Sequence, residues 1–179
     1  MICFVLNRFN EPDEQVQTVI NRIRSVYPNS VLQLNDDRVD HLKSPKNGGA
    51  WTHRYLTSAV SSGCDHIIKV DPDTEILSAV ENLPTQDCIF CRVREVQIGD
   101  RLFRIPAGGA LGFTRGAAQH IVDEKYFLQD CYKDNIRFAN YNDIMLMDIV
   151  WRNKLPMIDR PDFCCGRRPK CDGAAFFHK

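Results

Sequence analysis

Two aspartates one residue apart, Asp71-Pro72-Asp73, follow directly on the apolar run His66-Ile67-Ile68-Lys69-Val70. Residues i and i+2 of an extended chain point to the same side, and Pro72 holds Asp71 in the extended region, so both carboxylates face one way. Two oxygen donors suit a hard divalent cation such as Mg²⁺ or Mn²⁺, which keeps several waters and takes further ligands from a substrate diphosphate. On a solvated loop an Asp-x-Asp carries little information. At the end of a parallel strand it stands where α/β sheets bind their ligands.

Other residues of chemical interest are more dispersed. Asn142-Asp143 opens an apolar helical stretch, where a carboxylate either deprotonates a hydroxyl or caps the helix. Gly108-Gly109 leads into a strand and lets backbone approach a ligand closely. Arg160, Arg167, Arg168 and Lys170 concentrate positive charge in an aperiodic tail that also carries His178. Eight cysteines are the unusual count. Cys88 and Cys91 fall in a β-branched stretch where their side chains diverge, against a zinc knuckle. With Cys3, Cys64 and Cys131 they read as small buried hydrophobes. Cys164, Cys165 and Cys171, in the polar tail, leave a disulfide or a thiol role open.

The elements that must position these groups alternate. Ile2–Leu6, Val31–Leu34 and His66–Val70 are short apolar runs, the pattern of strands covered on both faces. Between the first two, Val16, Val19, Ile20, Ile23 and Val26 recur at helical spacing, with Asn10 as the expected cap and Pro12 in the first turn. Before the third, Trp51, Tyr55, Ala59 and Val60 form a second helical stripe closed by Ser62-Gly63. This order predicts right-handed βαβ units and a parallel sheet. Beyond residue 76 the pattern predicts a hairpin about Gly99-Asp100, a strand over 110–114, helices over 116–122 and 143–151, and an edge strand near 155–158.

The chain has 179 residues, with 23 Lys+Arg against 23 Asp+Glu, 44% hydrophobic and 26% charged. At ~150 residues per domain one domain is expected. A balanced charge excludes the broad positive field of a nucleic-acid or anionic-membrane binder, so any anion must be held locally. The first apolar run lacks the basic start and cleavage site of a signal peptide, and no stretch reaches the ~18 apolar residues of a membrane span. A cytoplasmic protein with reduced thiols is therefore expected.

From Ile2 to about Ile76 the sequence resembles the nucleotide-sugar glycosyltransferases of GT-A type, specifically family-2-like members. The resemblance rests on a strand ending in Asn7-Arg8-Phe9-Asn10, a second closing on Asp36-Asp37, Asn47-Gly48-Gly49 with Arg54 in the next helix, and Asp71-Pro72-Asp73. It implies a single α/β domain over 1–179, a Rossmann-like, mixed but mainly parallel sheet flanked by helices. Residues 1–76 would be the nucleotide-binding half, and 77–179 the acceptor-side half with its C-terminal tail.

It also implies roles. Asn7, Arg8, Asp36, Arg54 and Asp71 would bind the nucleotide, and Asp71 and Asp73 the metal, with His178 as a third ligand. Gly108 and Gly109 would lie beneath donor sugar and acceptor, Arg167 and Arg168 would clamp the diphosphate, and Asp143 would be the general base, although Asn142 departs from the usual Glu-Asp pair. The expected activity is metal-dependent inverting transfer of a sugar, from UDP as the commonest carrier, to an acceptor hydroxyl on a sugar, lipid or protein. The short second half suggests an acceptor site completed by a second copy or a partner chain. The rivals are a nucleotidyltransferase, disfavoured because Asn7-Arg8-Phe9-Asn10 contains no glycine, and a non-catalytic nucleotide-sugar-binding or zinc-bearing module.

Overall fold

The computed structural model describes residues 1–8, 11–36, 48–128, 142–165 and 173–178; at 48–51, 98, 108 and 142–144 it describes the backbone alone. Strand β1 (Ile2–Arg8) runs parallel to β2 (Val31–Asp36) on one side and β3 (His66–Val70) on the other. Alternation along β1 builds two cores. Cys3 and Val5 pack with helix α2 (Gly48–Ser61), while Phe4 and Leu6 pack with helix α1 (Asp13–Val26). Helix α1 buries Val16, Val19 and Ile23, the stripe expected from its spacing. Its N-cap position is Pro12, with no side-chain cap, and Asp13 and Glu14 face the positive end of the helix dipole. The expected cap, Asn10, lies outside the described residues. Helix α2 closes at Gly63, whose φ of +74° is the left-handed conformation that favours glycine there.

The second half contains the longest strands. β5 (Ile89–Ile98) and β6 (Arg101–Thr114) form a hairpin that turns at Gly99-Asp100. The strand expected over 110–114 is the final third of β6, because the extended backbone continues through Pro106 and both glycines. The register slips between Cys91 and Arg92, where β6 carries extra residues. Helix α3 (Arg115–Asp123) starts at Thr114, whose hydroxyl accepts from the Ala117 N–H at 3.4 Å. Helix α4 (Asn142–Asn153) leads to β7 (Met157–Asp159), an edge strand parallel to β5. The sheet order is β2-β1-β3-β6-β5-β7 with β6 alone antiparallel, and α1 lies against the opposite core from α2, α3 and α4. The architecture is a mixed, mainly parallel sheet flanked by helices, broadly Rossmann-like.

Two features of this sheet position a site. Only Ala110–Thr114 of β6 pair with β3, so Arg101–Gly109 run on past the carboxyl end of β3 and wall off that edge. A second sheet, of order β4-β9-β8, covers the same edge from β4 (Thr74–Ile76), β8 (Phe163–Cys165) and β9 (Phe176–His178). The sequence pattern offers no periodicity for these three-residue strands. Their anchor is aromatic: Phe163 and Phe176 are almost fully buried, 4.8 Å apart between ring centroids, and Phe163 meets Phe90 edge-on at 5.8 Å. Burying each ring is worth about 2–3 kcal/mol.

Tyr27 fastens this layer to α1. Its hydroxyl accepts from the Val80 N–H at 2.7 Å and donates to the Ser78 carbonyl at 3.3 Å. Burial pushes its pKa up to about 12 against the Val80 hydrogen bond, which acts to lower it. Tyr27→Phe leaves the Val80 N–H without its partner and is expected to cost about 1–2 kcal/mol in urea unfolding, with the slope of the transition unchanged.

Candidate functional site

Asp71 leaves the end of β3 with its N–H bonded to the Gly109 carbonyl at 2.8 Å, and its own carbonyl accepts from the Thr74 N–H at 3.0 Å. The backbone therefore turns tightly through Pro72-Asp73 into β4. β4 pairs antiparallel with β9, placing Thr74 opposite His178. β9 pairs parallel with β8, placing His178 opposite Cys165. Thr74, His178 and Cys165 thus form one row across the second sheet.

This row brings His178 to the aspartates. One ligand atom each from Asp71, Asp73 and His178 lies within 4.8 Å of the others. His178 Nε2 is 3.1 Å from Asp73 Oδ2. Ligands on opposite sides of a magnesium-sized ion stand about 4 Å apart, so a small rotamer adjustment closes the set on a divalent cation. Asp73 is half exposed and open to an incoming ligand, whereas Asp71 and His178 are about three-quarters covered. The buried Thr74 hydroxyl next to this cluster has no hydrogen-bond partner. Two carboxylates, an imidazole and an orphaned hydroxyl are a donor set that fits a metal with its water shell.

Two neighbours were not foreseen from the sequence. Lys69 Nζ contacts the Asp71 carboxylate at 2.6 Å from a largely buried position, so Asp71 carries its own countercharge. Two-residue strand spacing puts Lys69 and Asp71 on one side, a signal legible in retrospect. Cys165 stands on the other side of the imidazole, Sγ 3.9 Å from His178 Nδ1.

At the ends of β1 and β2 the structure assembles Asn7, Arg8 and Asp36. Asn7 is fully buried, its Oδ1 accepts from Asn35 at 3.4 Å, and its Nδ2 has no partner. The Arg8 guanidinium, buried too, donates to the Glu11 carbonyl, pairs with Asp13 and lies 3.8 Å from Asp36. It is engaged by protein acids, and its contribution toward an anion is shared with them. Arg54 is exposed on α2. Gly108 and Gly109 lie in β6, and a Cβ on Gly109 would come within 2.1 Å of Thr74 Oγ1 and 2.3 Å of His178 Cδ2. Asp143 is in the first turn of α4; its side chain, and all of Arg167 and Arg168, lie outside the described residues.

The cysteines divide as their surroundings suggest. Cys3, Cys64, Cys88 and Cys91 are outside any disulfide and fully buried. Burial pushes the Cys3 thiol up to about 11 and raises that of Cys88, which leaves them inert as nucleophiles. In the tail, Cys164 is disulfide-bonded and its neighbour Cys165 is a free thiol. Of the two roles open to the tail cysteines, Cys164 takes the disulfide and Cys165 the thiol. Among the described residues no helix is long and apolar enough to cross a membrane.

No family model matches the sequence, and no curated protein matches it. Among solved structures, the crystal structure of a glycosyltransferase involved in the glycosylation of the major capsid of PBCV-1 superposes with a TM-score of 0.62, covering 99% of this chain and 92% of that one. The fold is glycosyltransferase-like. At 8% identity the likeness resides in the course of the backbone, and any chemistry rests on the chain's own side chains.

Proposed function

We propose that this chain is a metal-dependent glycosyltransferase that moves a sugar from a nucleoside-diphosphate sugar, UDP being the leading carrier, to an acceptor hydroxyl with inversion. The observation that carries the reading is the convergence of Asp71, Asp73 and His178 at the carboxyl edge of a glycosyltransferase-like sheet. An imidazole among carboxylates favours Mn²⁺ over Mg²⁺, which prefers an all-oxygen shell. Bound there, the cation would offset the charge that develops on a leaving diphosphate.

The chain's own residues divide the remaining work. Lys69 neutralises part of the Asp71 charge and holds its carboxylate in place. Asn7, with its orphaned amide N–H, and Asp36 offer a donor and an acceptor for a base or ribose at the ends of β1 and β2, with Arg8 beside them, and Arg54 of α2 would add a cation for the nucleotide. Gly109 lets Thr74 and His178 close up against β6, Gly108 and Gly109 would lie beneath the transferred sugar, and Arg167 and Arg168 would close over the diphosphate. Asp143, at the start of α4, is the base that takes the proton of the acceptor hydroxyl.

Thermal melting against a panel of nucleoside diphosphates, with and without Mn²⁺, tests the reading. One diphosphate and Mn²⁺ together, at ~100 times the dissociation constant, should raise the melting temperature by about 5–10 °C, and neither alone should reach that. A panel with no metal-dependent shift overturns the proposal.

A further inference from the structure

We propose that the free thiol of Cys165 is a positioning residue for His178: it holds the imidazole so that Nε2 faces the metal cluster, and metal affinity depends on it. The inference rests on the metal-site reading above and concerns a residue that the reading does not use. His178 presents its two ring nitrogens to different partners, Nε2 to Asp73 at 3.1 Å and Nδ1 to Cys165 Sγ at 3.9 Å, within the reach of a sulfur hydrogen bond. Strand register makes the second contact structural, since Cys165 is the direct cross-strand neighbour of His178. The sulfur is itself held: Arg94 Nη2 donates to it at 2.9 Å and reaches the Cys165 carbonyl at 3.4 Å, tying β8 to β5. Beside it, Cys164 is locked in a disulfide.

The chemistry explains why a thiol serves here. Each imidazole nitrogen donates or accepts according to the tautomer. When Nε2 turns its lone pair to a cation, the proton must be on Nδ1, which becomes a donor. A thiol meets both conditions, since S–H donates and sulfur accepts, and it rotates to suit. A ligand histidine whose other nitrogen lacks such a partner typically loses 10–100-fold in metal affinity.

Mn²⁺ titration followed by electron paramagnetic resonance of the free ion, on the full chain with no nucleotide, reads the effect without any assay of turnover. Cys165→Ala is expected to weaken Mn²⁺ binding about 10-fold, at an unchanged melting temperature in chelator. Cys165→Ser keeps a rotating donor and acceptor on a shorter bond, and should fall between the parent and Cys165→Ala. Arg94 is exposed and Arg94→Ala does not disturb a core, so it serves if Cys165→Ala fails to fold; it should weaken binding measurably in the parent and not further in Cys165→Ala. His178→Ala separates the two levels of the proposal. If it leaves Mn²⁺ affinity intact, the metal-site reading fails. If it weakens binding while Cys165→Ala, or failing that Arg94→Ala, does not, His178 is a ligand and the positioning role of Cys165 is wrong. A Cys165→Ser variant as weak as Cys165→Ala also overturns the hydrogen-bonding account.

Discussion

Asp73→Asn is expected to erase the manganese-dependent rise in melting temperature and to lower kcat by about 10³-fold, with the metal-free protein as stable as the parent. The three parts of this result have separate causes. Asp73 is half exposed, and among the described residues its polar partner is His178. An asparagine of the same size can still accept from that ring through Oδ1, so stability without metal should change by no more than about 0.5 kcal/mol. Loss of the charge acts on the cation alone. Asp71 is already paired with Lys69 at 2.6 Å, which makes Asp73 the carboxylate with the least compensated charge in the cluster and the larger contributor to binding a divalent ion. Under the proposed glycosyl transfer, turnover should fall because the leaving diphosphate would be stabilised by protein groups only. The converse variant, Asp71→Asn, would also release Lys69, so Asp73 gives the cleaner measurement. Differential scanning fluorimetry with Mn²⁺ and nucleoside diphosphate, alongside donor turnover, reads all three. A variant that keeps its metal-dependent shift would remove Asp73 from the ligand set.

What the sequence made legible follows the range of the interactions involved. The βαβ half depends on local patterning: Ile2–Leu6 and His66–Val70 are apolar because both sides of the sheet are covered, and Val16, Val19 and Ile23 keep helical spacing because α1 packs on one of those sides. Asp71 and Asp73 were legible for the same reason, as two residues at the end of such a strand. The continuous β6 was harder to see, because Pro106, Gly108 and Gly109 carry turn-like signals that the hairpin with β5 overrides. The layer of β4, β8 and β9 left no pattern at all. Three residues are too few to show a period, and the pairing of Thr74 with His178 joins positions over a hundred residues apart. Resemblance could suggest His178 as a ligand, but only long-range pairing explains how it reaches Asp73, and the same pairing is what brings in Cys165.

Gly109→Ala is the most damaging small change expected near the site, although it adds a single methyl group. Gly109 lies between the two sheets, and its carbonyl fixes the start of the Asp71-Pro72-Asp73 turn through the Asp71 N–H at 2.8 Å. The added Cβ would meet Thr74 Oγ1 at 2.1 Å and His178 Cδ2 at 2.3 Å, well inside contact distance. Thr74 is buried on β4 and cannot swing away; His178 has more freedom, but only by leaving Asp73. Relief must therefore come from separating β6 from the β4–β9 pair, which strains the Asp71 hydrogen bond, or from expelling the imidazole. Either route dismantles the metal cluster. Overpacking of this kind costs about 1–3 kcal/mol, and the upper end is expected because two of the obstructing atoms belong to different strands of one sheet. Chemical denaturation should show that loss, and Mn²⁺ titration should show binding weakened by at least as much as in His178→Ala. Thr74→Ser does not open the clash, because Oγ1 remains, whereas Thr74→Ala in the Gly109→Ala background removes the nearer obstacle and should recover part of the stability without restoring full metal affinity. That pattern would mean the glycine is required by the approach of Thr74 and His178; equal stability of Gly109→Ala and parent would mean that the two sheets can part there at no cost.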